Sequence, residues 1–423
     1  MDCTFYPAKL SGVCAAPASK SEAHRRMICA GLSRETVCLD GFMESGDMAA
    51  TERCLQALGA DVRREGGTLS LRGFARPAER VPEMDCGESG STLRFFVPIA
   101  LALTGGAVFR MHGRLGQRPM DVYRDLFVPR GVTWRMGVGA DGAAELNVVG
   151  RIEPGDYALP GNVSSQFVSG LLFALPLLGG HSTLAVMPPV ESAGYIRMTV
   201  EALTRSGVVI HETAPFTWDI PGGQCYHAES GRLSGDYSQS AVLLCAAALG
   251  HSVAVTGLNA QTTQGDRAIL RHLTALGASV AEQDGTITVT GPTTHAATLD
   301  LHDSPDIAPI LALVCQLTPG KSRLTHCGRL RLKETDRLAA TAGILNALGG
   351  HTRIDGDDLV ITGQPTLAGG TTVDGFGDHR MVMLASIAAS VAQSPVTVTG
   401  VEALEKSWPD YLHVYQSLGG QVK

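Results

Sequence analysis

Aromatic residues are scarce in this 423-residue chain, at 5%, and no two of its ten cysteines form a C-x-x-C pair. A zinc ribbon and a thioredoxin-type redox site are thereby not indicated. Charge is sparse too: 18% of residues are Asp, Glu, Lys or Arg, and 34 basic against 41 acidic side chains leave a formal net charge of −7. The whole-surface basic field that holds nucleic acid or an anionic membrane is missing. No apolar run reaches the roughly 18 residues that a bilayer demands; the longest are 167–178, 241–249 and 307–317. The N-terminus, Met1-Asp2-Cys3-Thr4-Phe5, has neither the basic nor the apolar region of a leader. The cysteines are therefore expected to be reduced and mostly buried, and the chain cytoplasmic.

What is present is globular composition, 44% hydrophobic, with 50 glycines and 21 prolines. The length implies two or three domains. The strongest organising signal is a repeat. LQALGADVRREGGTLSLRG from Leu55, LTALGASVAEQDGTITVTG from Leu273 and LNALGGHTRIDGDDLVITG from Leu345 each read as a helix ending on Gly, then two β runs closing on Gly. Weaker copies surround Gly131 and Gly207, and a sixth is cut short after Gly419, so the marker glycines recur every 70 to 76 residues. A Gly just past a helix end suits the left-handed cap. Gly66-Gly67 and Asp284-Gly285 suit tight hairpins. Ile269, Leu273 and Leu276, like Ile196, Val200 and Leu203, mark amphipathic helices. Each unit has room for a second helix and two more strands, giving six units of roughly βαβαββ.

The sixth copy lacks its closing strand, while the first dozen residues hold a strand with no helix before it. The economical reading is that the N-terminal strand completes the last repeat. Two three-repeat domains follow: an inserted one, 14–228, and a discontinuous one, 1–13 with 229–423. The crossings near 13 and 228 are expected to form a hinge beside a ligand cleft.

Five segments place small hydroxyl or acidic residues before an apolar helical run, and four of them add a basic residue. They are Ser19-Lys20-Ser21 with Arg25, Glu88 to Thr92 with Arg94, Ser164-Ser165-Gln166, Lys333 to Arg337, and Gly377-Asp378-His379-Arg380. Ser, Thr and Asp there are ordinary helix caps. A basic side chain beside a positive helix end is unfavourable unless an anion sits there. The pattern points to a small substrate with several phosphates or carboxylates.

These segments also carry a family resemblance. P-A-S-K-S-E-A-H-R (17–25), C-G-E-S-G-S-T-L-R (86–94), G-Q-R-P-M (116–120), V-S-S-Q-F (163–167), P-D (305–306), L-K-E-T-D-R (332–337), G-D-H-R (377–380) and K-S-W-P-D-Y (406–411) occur in order along the chain. Together they resemble the 5-enolpyruvylshikimate-3-phosphate synthase family. The resemblance implies an α+β, two-domain enolpyruvyl-transferase fold, an α–β prism of six βαβαββ repeats, three per domain. It implies transfer of the carboxyvinyl group of phosphoenolpyruvate to the 5-hydroxyl of shikimate 3-phosphate, releasing phosphate, in the shikimate pathway to the aromatic amino acids. Lys20, Ser21, Arg25, Ser164, Ser165, Gln166, Ser192, Asp306 and Lys333 resemble the shikimate 3-phosphate contacts. Lys20, Gly90, Arg118, Gln166, Arg337, Arg380 and Lys406 resemble those of phosphoenolpyruvate. Asp306, Glu334 and Lys20 are the candidates for moving protons. Glu334 is expected in the first turn of a helix, and His379 reads equally as structural or catalytic. No cofactor and no metal are expected, and a monomer is.

Glu88 and Arg329 depart from the family pattern, standing where some members have Asn. The nearest rival is the sister enzyme acting on UDP-N-acetylglucosamine. It carries a reactive Cys on the loop before R-P, whereas this chain has no cysteine between Cys86 and Cys225. A non-catalytic anion-binding repeat scaffold would keep the glycines without needing Lys20, Asp306 and Glu334.

Overall fold

The computed structural model describes residues 1–74 and 81–423. They form two compact units, Lys20–Leu233, and Met1–Ser19 with Ser234–Lys423. Six four-stranded sheets are present, three in each unit, and every repeat is built as βαβαββ. The fifth repeat serves as the pattern. Thr298–Asp300 runs parallel to Lys321–Thr325, which pairs antiparallel with Asp358–Thr362, which pairs antiparallel with His351–Asp355.

In the Lys20–Leu233 unit the helices are α1 (Lys20–Leu32), α2 (Gly46–Ala57), α3 (Gly90–Leu103), α4 (Asp121–Phe127), α5 (Ser165–Ala174) and α6 (Ala193–Arg205). The other unit holds α7 (Tyr237–Ala248), α8 (Ala268–Ala275), α9 (Ala308–Gln316), α10 (Arg337–Ala347), α11 (His379–Val391) and α12 (Tyr411–Ser417). The first helix of a repeat is the buried one. Every residue of α7 and α9, and all but the last of α11, lies in the core. Such helices are apolar nearly all round, because other helices and sheets cover every face. The second helices are amphipathic: α8 buries Ile269 and Leu273 and exposes Arg271 and Thr274.

The six marker glycines all adopt left-handed backbone, with φ between +74° and +104°. That conformation ends each second helix and starts the hairpin at no Cβ cost. Asp284 and Gly285 both have positive φ, as a two-residue hairpin turn of the primed type requires. The closing glycines have a different reason. A Cβ on Gly73, Gly222, Gly291 or Gly363 would fall inside the radius of a backbone carbonyl oxygen of Ser33, Gly180, Ala248 or Thr318 respectively. The hairpin there presses directly on the chain leaving the first helix.

Three repeats borrow strands. Cys3–Tyr6 lies inside the sixth repeat's sheet, antiparallel to both Val396–Thr399 and Gln421–Val422. Ser11–Ala15 runs parallel to Ser252–Thr256 as first strand of the fourth repeat. Gly231–Arg232 does the same beside Thr36–Asp40 in the first. Pairing continues past Ser11–Ala15 through an Ala18–Gly235 bridge, so the units divide later in the chain than residues 13 and 228. All ten cysteines are thiols, eight of them buried. Among the described residues, no helix is long and apolar enough to cross a membrane.

Candidate active site

The starts of the buried first helices carry most of the residues singled out from the sequence. In the Lys20–Leu233 unit, Lys20 opens α1 and its Nζ lies 2.8 Å from Asp47 Oδ2 in the first turn of α2. Arg25, one turn further on, is buried. It donates from Nη1 to the Ser21 carbonyl (2.7 Å), from Nε to Thr199 Oγ1 (2.9 Å) and from Nη2 to the Tyr195 carbonyl (2.8 Å). Burial pulls its pKa down to about 10, which leaves it charged at neutral pH.

Gly90 is the first residue of α3, behind the cap Ser89. A Cβ on it would lie 2.5 Å from Nη1 and 2.8 Å from Cζ of Arg118, so a larger residue there would displace the guanidinium. Gln166, in the first turn of α5, is held at both ends. Its amide oxygen accepts from Arg94 Nη1 (2.6 Å), and its amide nitrogen donates to Ser91 Oγ (2.8 Å). Arg94 also donates to the carbonyl of Pro119, next to Arg118, at 3.1 Å. Ser164 caps α5 by accepting from the Gln166 N–H (3.3 Å), and Ser165 is buried beside it. Ser192 is buried at the start of α6 in left-handed backbone (φ +54°), a costly conformation for a residue with a Cβ.

In the other unit one guanidinium gathers three carboxylates. Arg337, 2% exposed, donates from Nε to Asp378 Oδ2 (2.7 Å), from Nη1 to Asp306 Oδ1 (2.8 Å) and from Nη2 to Glu334 Oε2 (2.8 Å). Lys333 Nζ is 2.9 Å from the same Asp306 oxygen, and Lys406 Nζ is 3.8 Å from Glu334 Oε1. Arg380 donates to the Ser238 carbonyl (3.0 Å) and Oγ (2.5 Å) at the start of α7. Burial acts to push the Asp306 carboxyl up, but Lys333, Arg380 and Arg337 outweigh it and hold the group well below the usual carboxylate range. Burial likewise opposes the charge of Arg337, and Asp378, Glu334 and Asp306 override it upward. Lys333 is lowered by burial, with Asp306 pulling the other way.

Of the sequence candidates, the structure thus clusters Asp306, Lys333, Glu334, Arg337 and Lys406 directly. It joins Gly90 to Arg118 and Ser21 to Arg25. Glu334 is not in a helix, as the sequence suggested; α10 begins only at Arg337, because Asp336 caps it by accepting the Ala339 N–H (3.0 Å). Freed from the helix start, Glu334 turns to Arg337 and Lys406. Sequence reasoning missed Asp47 and placed Arg94 and Asp378 in helix-start segments without assigning them to the site. Each reads locally as a cap or a helix charge, and only tertiary pairing reveals what it holds. Among the described residues, no group of three or more His, Cys, Asp or Glu side chains could hold a metal ion.

Known proteins resemble this chain along nearly its whole length. The family model for EPSP synthase (3-phosphoshikimate 1-carboxyvinyltransferase) matches residues 6–415. A protein of Clostridium kluyveri named 3-phosphoshikimate 1-carboxyvinyltransferase is 35% identical over 416 residues, covering 98% of this chain and 97% of its own. A Clostridium botulinum protein of the same name is 36% identical over 422 residues, with the same coverage of both chains. In fold, the chain is similar to EPSP synthase from Acinetobacter baumannii, with a TM-score of 0.80 at 21% identity over 100% of this chain and 99% of that one. It is also similar to the enolpyruvyl transferase NikO from Streptomyces tendae, with a TM-score of 0.78 at 19% identity over 100% and 98%. With a match that runs nearly end to end, the chain belongs to the EPSP synthase family, and its fold is that of the enolpyruvyl transferases.

Proposed function

We infer that this chain transfers the carboxyvinyl group of phosphoenolpyruvate to the 5-hydroxyl of shikimate 3-phosphate, releasing phosphate. The observation that carries the reading is the triple-carboxylate cluster. Asp306 is kept ionised by Lys333, Arg337 and Arg380, with Glu334 sharing the same guanidinium. The reaction needs a base for the hydroxyl and an acid for the methylene carbon of phosphoenolpyruvate. Two carboxylates whose charge is set by shared cations can supply both.

Asp306 accepts the hydroxyl proton as the oxygen attacks C2 of phosphoenolpyruvate, and Glu334 delivers a proton to C3. The resulting tetrahedral ketal phosphate loses its phosphate and one methyl proton, restoring the double bond. Lys20, carried on α1 against Asp47, assists the proton transfers. In the resting protein Asp306 is too acidic to be an effective base. Anionic substrates drawn to Lys333, Arg337 and Arg380 neutralise those cations. The burial that opposes ionisation then prevails, and the Asp306 pKa rises toward a useful value.

Lys20, Ser21, Arg25, Ser164, Ser165, Gln166, Ser192, Asp306 and Lys333 are assigned to shikimate 3-phosphate. Lys20, Gly90, Arg118, Gln166, Arg337, Arg380 and Lys406 are assigned to phosphoenolpyruvate. Guanidinium groups suit planar, two-point recognition of phosphate and carboxylate. Every repeat's sheet is completed within one chain, which supports a monomer, and ten unpaired thiols support a cytoplasmic setting. The test is phosphate release from phosphoenolpyruvate, with shikimate 3-phosphate and UDP-N-acetylglucosamine offered side by side. Release with the first alone is expected. Release only with the second, or with neither, overturns the assignment.

A further inference from the structure

Behind the Lys20–Asp47 pair lies a second rung between the same two helices. Lys20 and His24 are four residues apart on α1, and Asp47 and Thr51 are four apart on α2, so each pair occupies one helix face. His24 Nδ1 is 2.7 Å from Thr51 Oγ1, and Thr51 Oγ1 is 2.8 Å from Thr92 Oγ1 on α3. The Thr92 hydroxyl donates in turn to Oγ of Ser89 (2.8 Å), the cap of α3. His24, Thr51, Thr92 and Ser89 are all essentially inaccessible to solvent.

A hydroxyl has one hydrogen to give, and this settles the direction of the whole chain. The Thr92 hydrogen goes to Ser89 Oγ, which also accepts the Thr92 backbone N–H (3.3 Å). Thr92 Oγ1 must therefore accept from Thr51, and Thr51 must accept from His24. The hydrogen of the neutral His24 ring accordingly sits on Nδ1. Nε2 is bare, buried and without a hydrogen-bond partner. The Phe95 ring stands edge-on at 6.3 Å, and the Arg25 guanidinium lies over that ring. The charged groups about the imidazole are Asp47, Lys20 and Arg25. A second ring proton would be stranded there, and burial accordingly pulls the pKa down to about 3.

We propose that His24, as the neutral Nδ1–H tautomer, is a positioning residue whose one-way hydrogen-bond chain through Thr51 and Thr92 to Ser89 sets the starts of α1, α2 and α3 against one another. Lys20 sits one turn before His24, Asp47 one turn before Thr51, and Gly90 directly after Ser89. The chain thus ties together the ammonium group and the α3 start that the proposed reaction uses, and the inference rests on that reading. A buried polar chain that is satisfied in only one direction specifies a single packing more strongly than apolar contacts of the same volume.

The tautomer is tested on the intact wild-type protein by 15N NMR of labelled histidine, with the His24 signals assigned from their loss in His24→Asn. A protonated Nδ1 and a bare Nε2, unchanged between about pH 5 and 8, are expected. A protonated Nε2, or titration in that range, overturns the proposal. The positioning role is tested by kinetics well below the melting temperature. Thr51→Val and His24→Leu break the chain, and small displacements of reacting groups cost up to about 10²-fold in rate, so kcat should fall about tenfold or more. KM for shikimate 3-phosphate should rise as well, because Lys20, Ser21 and Arg25 stand on α1 beside His24. His24→Asn keeps an N–H donor in the Nδ1 position and should restore most of the lost rate. Broken-chain variants that melt earlier yet turn over at the wild-type rate would show a filler role and sink the idea. An inactive wild type that shows the Nδ1–H signal would instead remove the reaction reading and leave the hydrogen-bond chain standing.

Discussion

Glu334 and Gly90 show how much single residues of this chain are asked to do. Glu334 accepts from Arg337 and faces Lys406, outside any helix, so capping does not explain it. Glu334→Gln keeps the shape and an oxygen for Arg337 but cannot exchange a proton. Turnover should fall roughly 10²–10⁴-fold, the usual share of general acid–base catalysis, with substrate binding little changed. Exchange of solvent tritium into the methylene of phosphoenolpyruvate reports that proton step separately. Normal exchange and turnover would move the assignment to Lys20. Gly90→Ala puts a methyl where the Arg118 guanidinium passes, and the family resemblance implies that glyphosate competes for the proposed phosphoenolpyruvate site. The variant should raise both KM for phosphoenolpyruvate and the inhibitor's Ki, the latter by about tenfold or more, equivalent to about 1.4 kcal/mol. Equal inhibition of both forms would take Gly90 off the pocket wall. Gly90 and Glu334 were legible in the sequence through the motifs around them. Asp47 was not, since one Asp in a first helical turn is commonplace and its partner Lys20 lies 27 residues away.

At the scale of elements, two sets of glycines do different work within one repeat. The marker glycines need positive φ, whereas the closing glycines need the absence of Cβ. Gly131 (φ +88°) has nothing within 4 Å of where a Cβ would be. Gly131→Ala should therefore cost only the backbone strain, about 1–2 kcal/mol. In the same unit Gly222 abuts the carbonyl oxygens of Leu178 and Gly180. Gly222→Ala has no flexible side chain to push aside and should cost about 3 kcal/mol, the upper end for overpacking. Thermal melts of the two variants compare them directly, and Gly222→Ala melting no lower than Gly131→Ala would contradict the close-approach account. The marker glycines were readable because a helix end, a Gly and a hairpin recur at a fixed interval. The carbonyl contact behind the closing glycines joins residues 40 or more apart and leaves no local trace. The two-residue strand Gly231–Arg232 was invisible for a related reason: its pairing with Leu39 and Asp40 is wholly non-local.

For the molecule as a whole, the N-terminal segment bears on the integrity of the discontinuous unit. Deleting residues 1–12 would remove an interior strand, leave Gln421–Val422 unpaired and strip Tyr415 of Phe5, whose ring packs edge-on against it at 5.5 Å. A marked drop in melting temperature is expected, and an unchanged midpoint would mean that the strand is dispensable. The same segment is tied down by a buried histidine. The His251 Nδ1 accepts the Leu10 N–H (3.0 Å), and Nε2 is 2.9 Å from Ser390 Oγ. The Ser390 hydroxyl donates to the Ile387 carbonyl (2.7 Å), so its oxygen must accept from the imidazole, and the ring is neutral with its hydrogen on Nε2. Protonation would put a second hydrogen on Nδ1, facing the Leu10 N–H. Burial, assisted by Lys9, lowers the pKa from 6.5 to about 4. A folded-state pKa below the unfolded value makes the unfolded chain the tighter proton binder. The stabilisation is therefore complete above about pH 6.5 and is lost as pH falls toward 4, amounting to roughly 3 kcal/mol at 1.4 kcal/mol per unit. His24 and His272 shift in the same direction, so the wild-type profile alone does not isolate His251. The His251→Gln variant does, because it keeps an amide near Leu10 and cannot titrate. Denaturant unfolding measured between about pH 7 and 4 should show the variant losing stability less steeply than wild type, by up to one proton in the linkage slope. Parallel profiles would mean that His251 takes up its proton without disturbing Leu10, and the staple would have to be sought elsewhere in the segment.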